Sequence, residues 1–248
     1  MKYIEIPYVH ERGRRYRLFE ILPGFLSWSI LLFPFVLSLI NPHAAAFFII
    51  AYLLLWFVKA VVLNIRAVQG YRILQQHQKL PWHTLLAELQ LGKVSQPERS
   101  IPSWHYETVR RLQETPPKVL PDDMTHAIII ATYNEAREVL EPTIQTVMAS
   151  QYDMKKVILV LAYEERGGQT VATNAKELID KYRPQFKHAM AVMHAKDITG
   201  EVIGKGGNIT HAGRELAKYL AGKKINPENV IVTTLDADNR PHDNIYLR

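Results

Sequence analysis

The pattern of hydrophobic and polar positions changes twice along this chain. Residues 1 to 20 are polar and basic, with Lys2, Arg12, Arg14, Arg15 and Arg17. Two nearly unbroken apolar runs follow, Phe25 to Ile40 and Ala44 to Leu63, with Asn41-Pro42-His43 between them. Crossing a bilayer takes roughly 20 apolar residues. The second run meets this, interrupted only by Lys59, and the first does so once Ile21 and Leu22 are counted. Asn-Pro is a strong turn signal, so residues 21–65 read as a transmembrane helical hairpin. Trp28, Tyr52 and Trp56 suit interfacial anchors. The first run is longer than a signal-peptide core, and no small-x-small cleavage site follows it.

Residues 66–121 are mixed and read as a juxtamembrane connector. Trp82 to Leu89 has the pattern of a short amphipathic helix, lying either on the membrane surface or against the following domain. Pro97, Pro102, Pro116, Pro117 and Pro121 punctuate this stretch, and Pro116 to Pro121 marks the expected domain boundary. From Thr125 onward the pattern alternates. Strands are predicted at 127–131, 157–162, 189–195 and 230–235, with helices at 135–150, 170–182 and 208–220 between them. Such alternation implies right-handed crossovers and an α/β domain over 122–248, a mostly parallel sheet flanked by helices.

Composition narrows the picture. With 48% hydrophobic and 22% charged residues, the 248-residue chain can build this domain as well as the hairpin. The absence of Cys excludes disulfides and thiolate metal sites. A net charge of +6 suits nucleic acid, anionic lipid or an anionic substrate. The location of the charge decides among them. Arg12 to Arg17 precede the hairpin and Arg66, Arg72 and Lys79 follow it, while its turn has neither Lys nor Arg. By the positive-inside rule both ends are cytoplasmic, which makes this a multi-pass protein of the cell membrane with its domain in the cytoplasm. The basic residues then sit beside anionic membrane lipid. No nucleic-acid-binding motif is present, and no nucleic acid partner is expected.

Three loops carry the candidate chemistry. Val230 to Leu235 is a run of β-formers ending in Asp236-Ala237-Asp238. Side chains two apart in an extended segment share a face, so both carboxylates can aim at one point. Paired hard oxygen ligands beyond a strand suit Mg²⁺ or Mn²⁺ shared with a phosphorylated ligand; a solvated Asp-rich turn would use the same residues. Ala131-Thr132-Tyr133-Asn134-Glu135 links the first strand to its helix. Thr132 or Asn134 can cap that helix and Glu135 can complement its dipole. The same loop is placed to hold a base and ribose. Gly204-Lys205-Gly206-Gly207-Asn208 opens the third helix and suits a phosphate, although its spacing is neither that of a P-loop nor G-x-G-x-x-G.

Taken in order behind membrane helices, Ala-Thr-Tyr-Asn-Glu (131–135), Gly-Lys-Gly-Gly-Asn (204–208) and Leu-Asp-Ala-Asp-Asn-Arg-Pro (235–241) resemble a family 2 glycosyltransferase of the membrane-anchored, processive type with a GT-A fold. The resemblance covers about residues 125–248. It implies that Thr132, Tyr133 and Glu135 contact the nucleoside, Lys205 the donor region and Asp236 the nucleoside diphosphate side, with Asp238 as ligand of Mg²⁺ or Mn²⁺. It implies a nucleotide sugar donor, UDP-sugar first, and inverting transfer to a glycan or lipid acceptor. In the family the second strand usually ends in acidic residues that read the base. Here Leu161-Ala162-Tyr163 stands there, with Glu164 and Glu165 just after, and either can take that contact. The family's later half, with its acceptor site, catalytic base and Gln-x-x-Arg-Trp motif, does not appear before Arg248. A donor half, inactive alone, is therefore expected, with the catalytic base beyond Arg248. Two other readings remain: a non-catalytic nucleotide-sugar-binding membrane protein, or one subunit of a split enzyme. A Rossmann dehydrogenase is disfavoured because the first strand–helix turn has no glycine.

Overall fold

The computed structural model describes residues 12–94, 101–150, 152–198 and 204–241. Lys2, Pro97 and Asp243 to Arg248 lie outside them. The chain divides into two compact units, Met1–Lys79 and Leu80–Arg248, each described by itself below.

The first unit is a helical hairpin. Helix α1 spans Arg14–Ile40 and helix α2 spans Pro42–Gln78. One residue separates them. Asn41 has extended backbone, and its side chain accepts from the N–H groups of His43 (3.0 Å) and Ala44 (3.2 Å). It therefore caps α2, and Pro42 occupies the first position, where a missing N–H has no consequence. Both helices are longer than the apolar runs alone predict. Arg and Glu are good helix formers, and Glu20 pairs with Arg12 and Arg17 at the start of α1. α1 continues through Pro23 and Pro34. The Ser27 hydroxyl donates to the Pro23 carbonyl at 2.8 Å, the kind of side-chain support that lets apolar helices carry proline. Phe33 of α1 meets Phe48 of α2 edge to face at 5.1 Å. Among the large apolar side chains of both helices, none is buried; of the whole hairpin only Ala45 is. The two helices are long and apolar enough to cross a membrane. At about 1.5 Å per residue, α2 would run roughly 55 Å, well beyond a hydrocarbon core of about 30 Å. Its 37 residues thus extend past the apolar stretch into the basic one.

The second unit is a sheet with helices on both faces. It begins with α3 (Trp82–Leu91) and α4 (Ser103–Glu114). Residues 66–78, within the stretch expected as connector, continue α2, and the sheet unit starts at Leu80. α3 is packed within this unit. Leu85 is buried with Leu80 and Ile101, and the Gln90 side chain accepts from the Asp122 N–H. Between α3 and α4, Glu88 and His105 meet at 2.7 Å, both fully buried.

Strands β1 (Thr125–Thr132), β2 (Val157–Glu164), β3 (His188–His194) and β4 (Val230–Asp236) form one all-parallel sheet in the order β3-β2-β1-β4. Helices α5 (Arg137–Met148), α6 (Gly168–Tyr182) and α7 (Lys205–Gly222) connect them. This agrees with the predicted alternation, and the differences are confined to ends. The register sets Ile130 beside both Leu161 and Leu235. Alternate residues divide between two cores. Ile128, Ile130, Leu159 and Leu161 pack under α5 and α6. Ala127, Ile129, Ile158 and Val160 pack under α7 with Ala212, Leu216 and Leu220. Both faces are covered, so β1 is apolar from Ala127 to Ala131 and β2 from Val157 to Ala162. The chain steps from β1 to β2 to β3, and α7 then returns it across the other face to β4. The strand order thus reverses between β1 and β4, where open α/β sheets bind ligands beyond the strand ends.

Candidate functional site

A cavity of about 690 Å³ lies at the carboxyl edge of the sheet. It is lined from β1 by Thr132, Tyr133 and Glu135, from β2 by Glu164 and Arg166, from α7 by Gly204, Lys205 and Asn208, and from β4 by Asp236 and Asp238. All seven side chains expected at the site, from three separate loops and the end of β2, are brought together here. A larger cavity of about 780 Å³ lies between α3, α4 and the amino-terminal end of the sheet. Its lining is mostly apolar and includes none of these residues.

The local reasons differ from those expected. Neither Thr132 nor Asn134 caps α5, whose first position follows Ala136 with no side-chain cap. One oxygen of Glu135 instead accepts from the Thr132 hydroxyl (2.6 Å), the Tyr133 N–H (2.7 Å) and the Asn134 N–H (3.2 Å). The loop is thus folded around a carboxylate that precedes the helix. Partial burial pulls the Glu135 pKa up, but these hydrogen bonds outweigh it and leave it lowered. The Tyr133 ring is left exposed at the cavity.

The two aspartates converge by another route than strand alternation. β4 ends at Asp236, and the Asn239 N–H closes a turn onto the Asp236 carbonyl at 3.1 Å. Ala237 is buried under α5, and its carbonyl accepts from the Thr143 hydroxyl at 2.6 Å. The buried alanine and this hydrogen bond hold the turn, so Asp236 and Asp238 both reach the cavity. Lys205 forms an ion pair with Asp236. Lys205 opens α7 behind Gly204, whose φ of 158° and ψ of 172° fall in a region glycine alone enters readily.

β2 runs two residues further than predicted and finishes on Glu164, so this strand does end in a carboxylate. Glu164 is buried. It accepts from Arg166 Nη2 at 2.7 Å and meets His194 Nδ1 at 3.2 Å. Glu165 turns elsewhere and accepts from the Lys196 N–H at 2.9 Å. Of the two glutamates, the structure brings only Glu164 to the cavity.

Two site residues were missed in the sequence. Asn208 is buried, and its amide donates to the carbonyls of Ala162 (3.1 Å) and Thr132 (3.3 Å). It ties α7 to the ends of β1 and β2. The signal was an amide one turn into a helix that opens on glycines. Arg166 gave no pattern of its own, since a basic residue after two glutamates reads as an ordinary polar turn.

Four carboxylates and two cations line the cavity, so its balance is acidic. Asp236 and Asp238 supply oxygen donors of the kind Mg²⁺ and Mn²⁺ take, and such ions keep water and ligand oxygens in their remaining positions. Among the described residues no group of three or more His, Asp or Glu gathers as a self-sufficient metal cage. Set against known proteins, the chain matches no family model and no curated protein.

Proposed function

We propose that this chain binds a nucleoside diphosphate sugar with Mg²⁺ or Mn²⁺ and serves a membrane-bound, family 2-like glycosyltransferase of the GT-A type. The observation that carries this is the joining of Asp236, Asp238, Lys205 and Tyr133 in one acidic cavity at the reversal of strand order. A divalent cation at Asp238 and Asp236 offsets the charge of a diphosphate. Lys205 and the open start of α7 supply positive potential beside it. Tyr133 offers an exposed ring for the base, and the Glu135-centred loop holds that ring in place. Inverting transfer to a glycan or lipid acceptor follows from the resemblance, and a cytoplasmic domain from the basic residues that flank the hairpin. The four carboxylates lining the cavity have the roles given above, and none is assigned as base for the acceptor hydroxyl.

Calorimetry on the full chain in detergent tests this. UDP or GDP should bind with Mn²⁺ and lose most of its affinity in EDTA. Asp238→Asn keeps the shape and removes one charge from a hard-cation site, so affinity should fall about tenfold or more, about 1.4 kcal/mol for each factor of ten. Equal binding with and without metal would refute the metal role. No binding of any nucleoside diphosphate would refute the whole reading.

A further inference from the structure

We infer that Lys59 and the groove between α1 and α2 hold one anionic phospholipid of the surrounding bilayer, its phosphate on the Lys59 ammonium and an acyl chain along the groove. This rests on reading the hairpin as membrane-spanning and is independent of the nucleotide site. The groove has a volume of about 560 Å³ and lies wholly within the hairpin. Among the described residues that line it, only Lys59 is charged. An ionisable side chain at membrane depth is costly and needs a partner. The hairpin supplies none. Between Glu20 and Glu88 the sequence contains no acidic residue, while Lys59, Arg66, Arg72 and Lys79 all fall in that interval. Glu20 has one oxygen on Arg12 and the other on Arg17. The Lys59 ammonium lies 5.2 Å from the Trp56 ring centre. That contact is favourable but gives its three N–H groups no acceptor oxygen.

Depth and shape point to a lipid rather than to another protein segment. With the Asn41 turn at one boundary, a hydrocarbon core of about 30 Å ends roughly 20 residues beyond Ala44, near Leu63. Lys59 stands about one helical turn inside that end, from which α2 continues to Arg66 and Arg72. Helical side chains lean towards the N-terminus, and the ammonium is turned back over Trp56. A headgroup phosphate therefore has to dip towards it. Anionic headgroups and juxtamembrane basic residues attract each other, so lipid gathered at this boundary carries the missing negative charge. Phe48, Tyr52 and Trp56 form one aromatic wall, with centroids 6.5 and 6.1 Å apart, leading from Lys59 into the hairpin. Leu31 of α1 and Leu55 of α2 add to the lining. Close approach of a further helix needs small residues, and this lining is bulky. A flexible acyl chain can follow it.

The test is native mass spectrometry of the full chain in detergent, titrated with phosphatidylglycerol or with phosphatidylcholine of the same chains. The unaltered chain should retain one phosphatidylglycerol about fivefold or more tightly than phosphatidylcholine, the worth of one cation beside anionic lipid. Lys59→Met should remove most of that preference. Lys79→Gln removes one charge beyond the apolar stretch and should leave it unchanged. Leu31→Trp fills the groove and should weaken retention of phosphatidylglycerol with Lys59 still in place. Equal retention of both lipids by the unaltered chain overturns the assignment in favour of a carboxylate from another membrane segment. A preference intact in Lys59→Met, or lost equally in Lys79→Gln, overturns it in favour of diffuse surface charge. Undiminished retention in Leu31→Trp overturns the placement of the acyl chain. Release of the chain from membranes by alkaline carbonate overturns the hairpin reading, and this inference with it.

Discussion

Leu54 in the hairpin and Leu159 in the sheet are the same residue in opposite surroundings. Leu54 is 58% exposed, and Leu159 is 0% exposed. The contrast holds throughout the two units: the hairpin turns its apolar side chains outward, while β1 and β2 bury theirs under α5, α6 and α7. A helix apolar on all sides is at rest only where its surroundings are apolar. The two units thus differ in where their apolar side chains lie, and each can be tested in its own terms.

Topology has the largest expected effect, because its outcome is all or none. A reporter fused at His43 should lie outside the cell and one fused after Pro121 inside. A cytoplasmic His43 reporter would remove the membrane half of the comparison. The core comes next. Leu159→Ala should destabilise the sheet unit by about 2–5 kcal/mol in denaturant unfolding, through lost transfer energy and the cavity left behind. Leu54→Ala, in the same detergent-solubilised protein, should leave the unfolding midpoint of that unit unchanged. Similar losses from both would show that the hairpin is a buried core after all.

Gly167→Ala is a smaller perturbation aimed at the site. The added methyl must push the Tyr133 carbonyl away, since backbone cannot yield as a side-chain end can. A loss of roughly 1–3 kcal/mol is expected, as for other overpacked positions, together with weaker nucleotide binding. Unchanged affinity would separate the two loops functionally.

The smallest effect concerns pH. Hydrogen bonds from Lys181, Arg137 and Tyr182 hold Glu141 of α5 down to about 2, from an ordinary 4.5. A carboxylate depressed on folding adds stability above its unfolded value and loses it as pH falls through the folded one. Stability should therefore decline as pH drops from about 4.5 towards 2. Glu135, lowered in the same direction, adds to this. Glu141→Gln should flatten the decline in acid unfolding curves. An unaltered slope would mean that the contacts to Glu141 are too solvent-screened to matter.

Much of this was legible in the sequence because it follows from periodicity. The strand alternation, the hairpin and the convergence of Thr132, Tyr133, Glu135, Lys205, Asp236 and Asp238 needed only apolar runs and the rule that loops gather at strand ends. What was not legible depended on long-range partners. Asn134 looked like a helix cap, but α5 begins at Arg137 behind Ala136, and the Asn134 N–H turns to the Glu135 carboxylate instead. Glu164 and Glu165 were equivalent until His194, thirty residues on, engaged one and the Lys196 N–H the other. Asp236 and Asp238 meet through a turn that Thr143 of a distant helix holds in place. The helix over 66–78 was hidden because polar helix formers resemble linker once the apolar stripe ends.

The Lys205–Asp236 pair has one more consequence. Both side chains are about half exposed, and exposed pairs are worth about 0–1 kcal/mol. On the proposed reading Lys205 acts as a placeholder cation, a weak internal competitor for the oxygen that a divalent ion would take. An ion arriving alone must evict it and leave the ammonium beside a new positive charge. An ion arriving with a diphosphate gives the displaced ammonium an anion to move to. Metal and nucleotide should then each tighten the other, and by linkage the two enhancements must be equal.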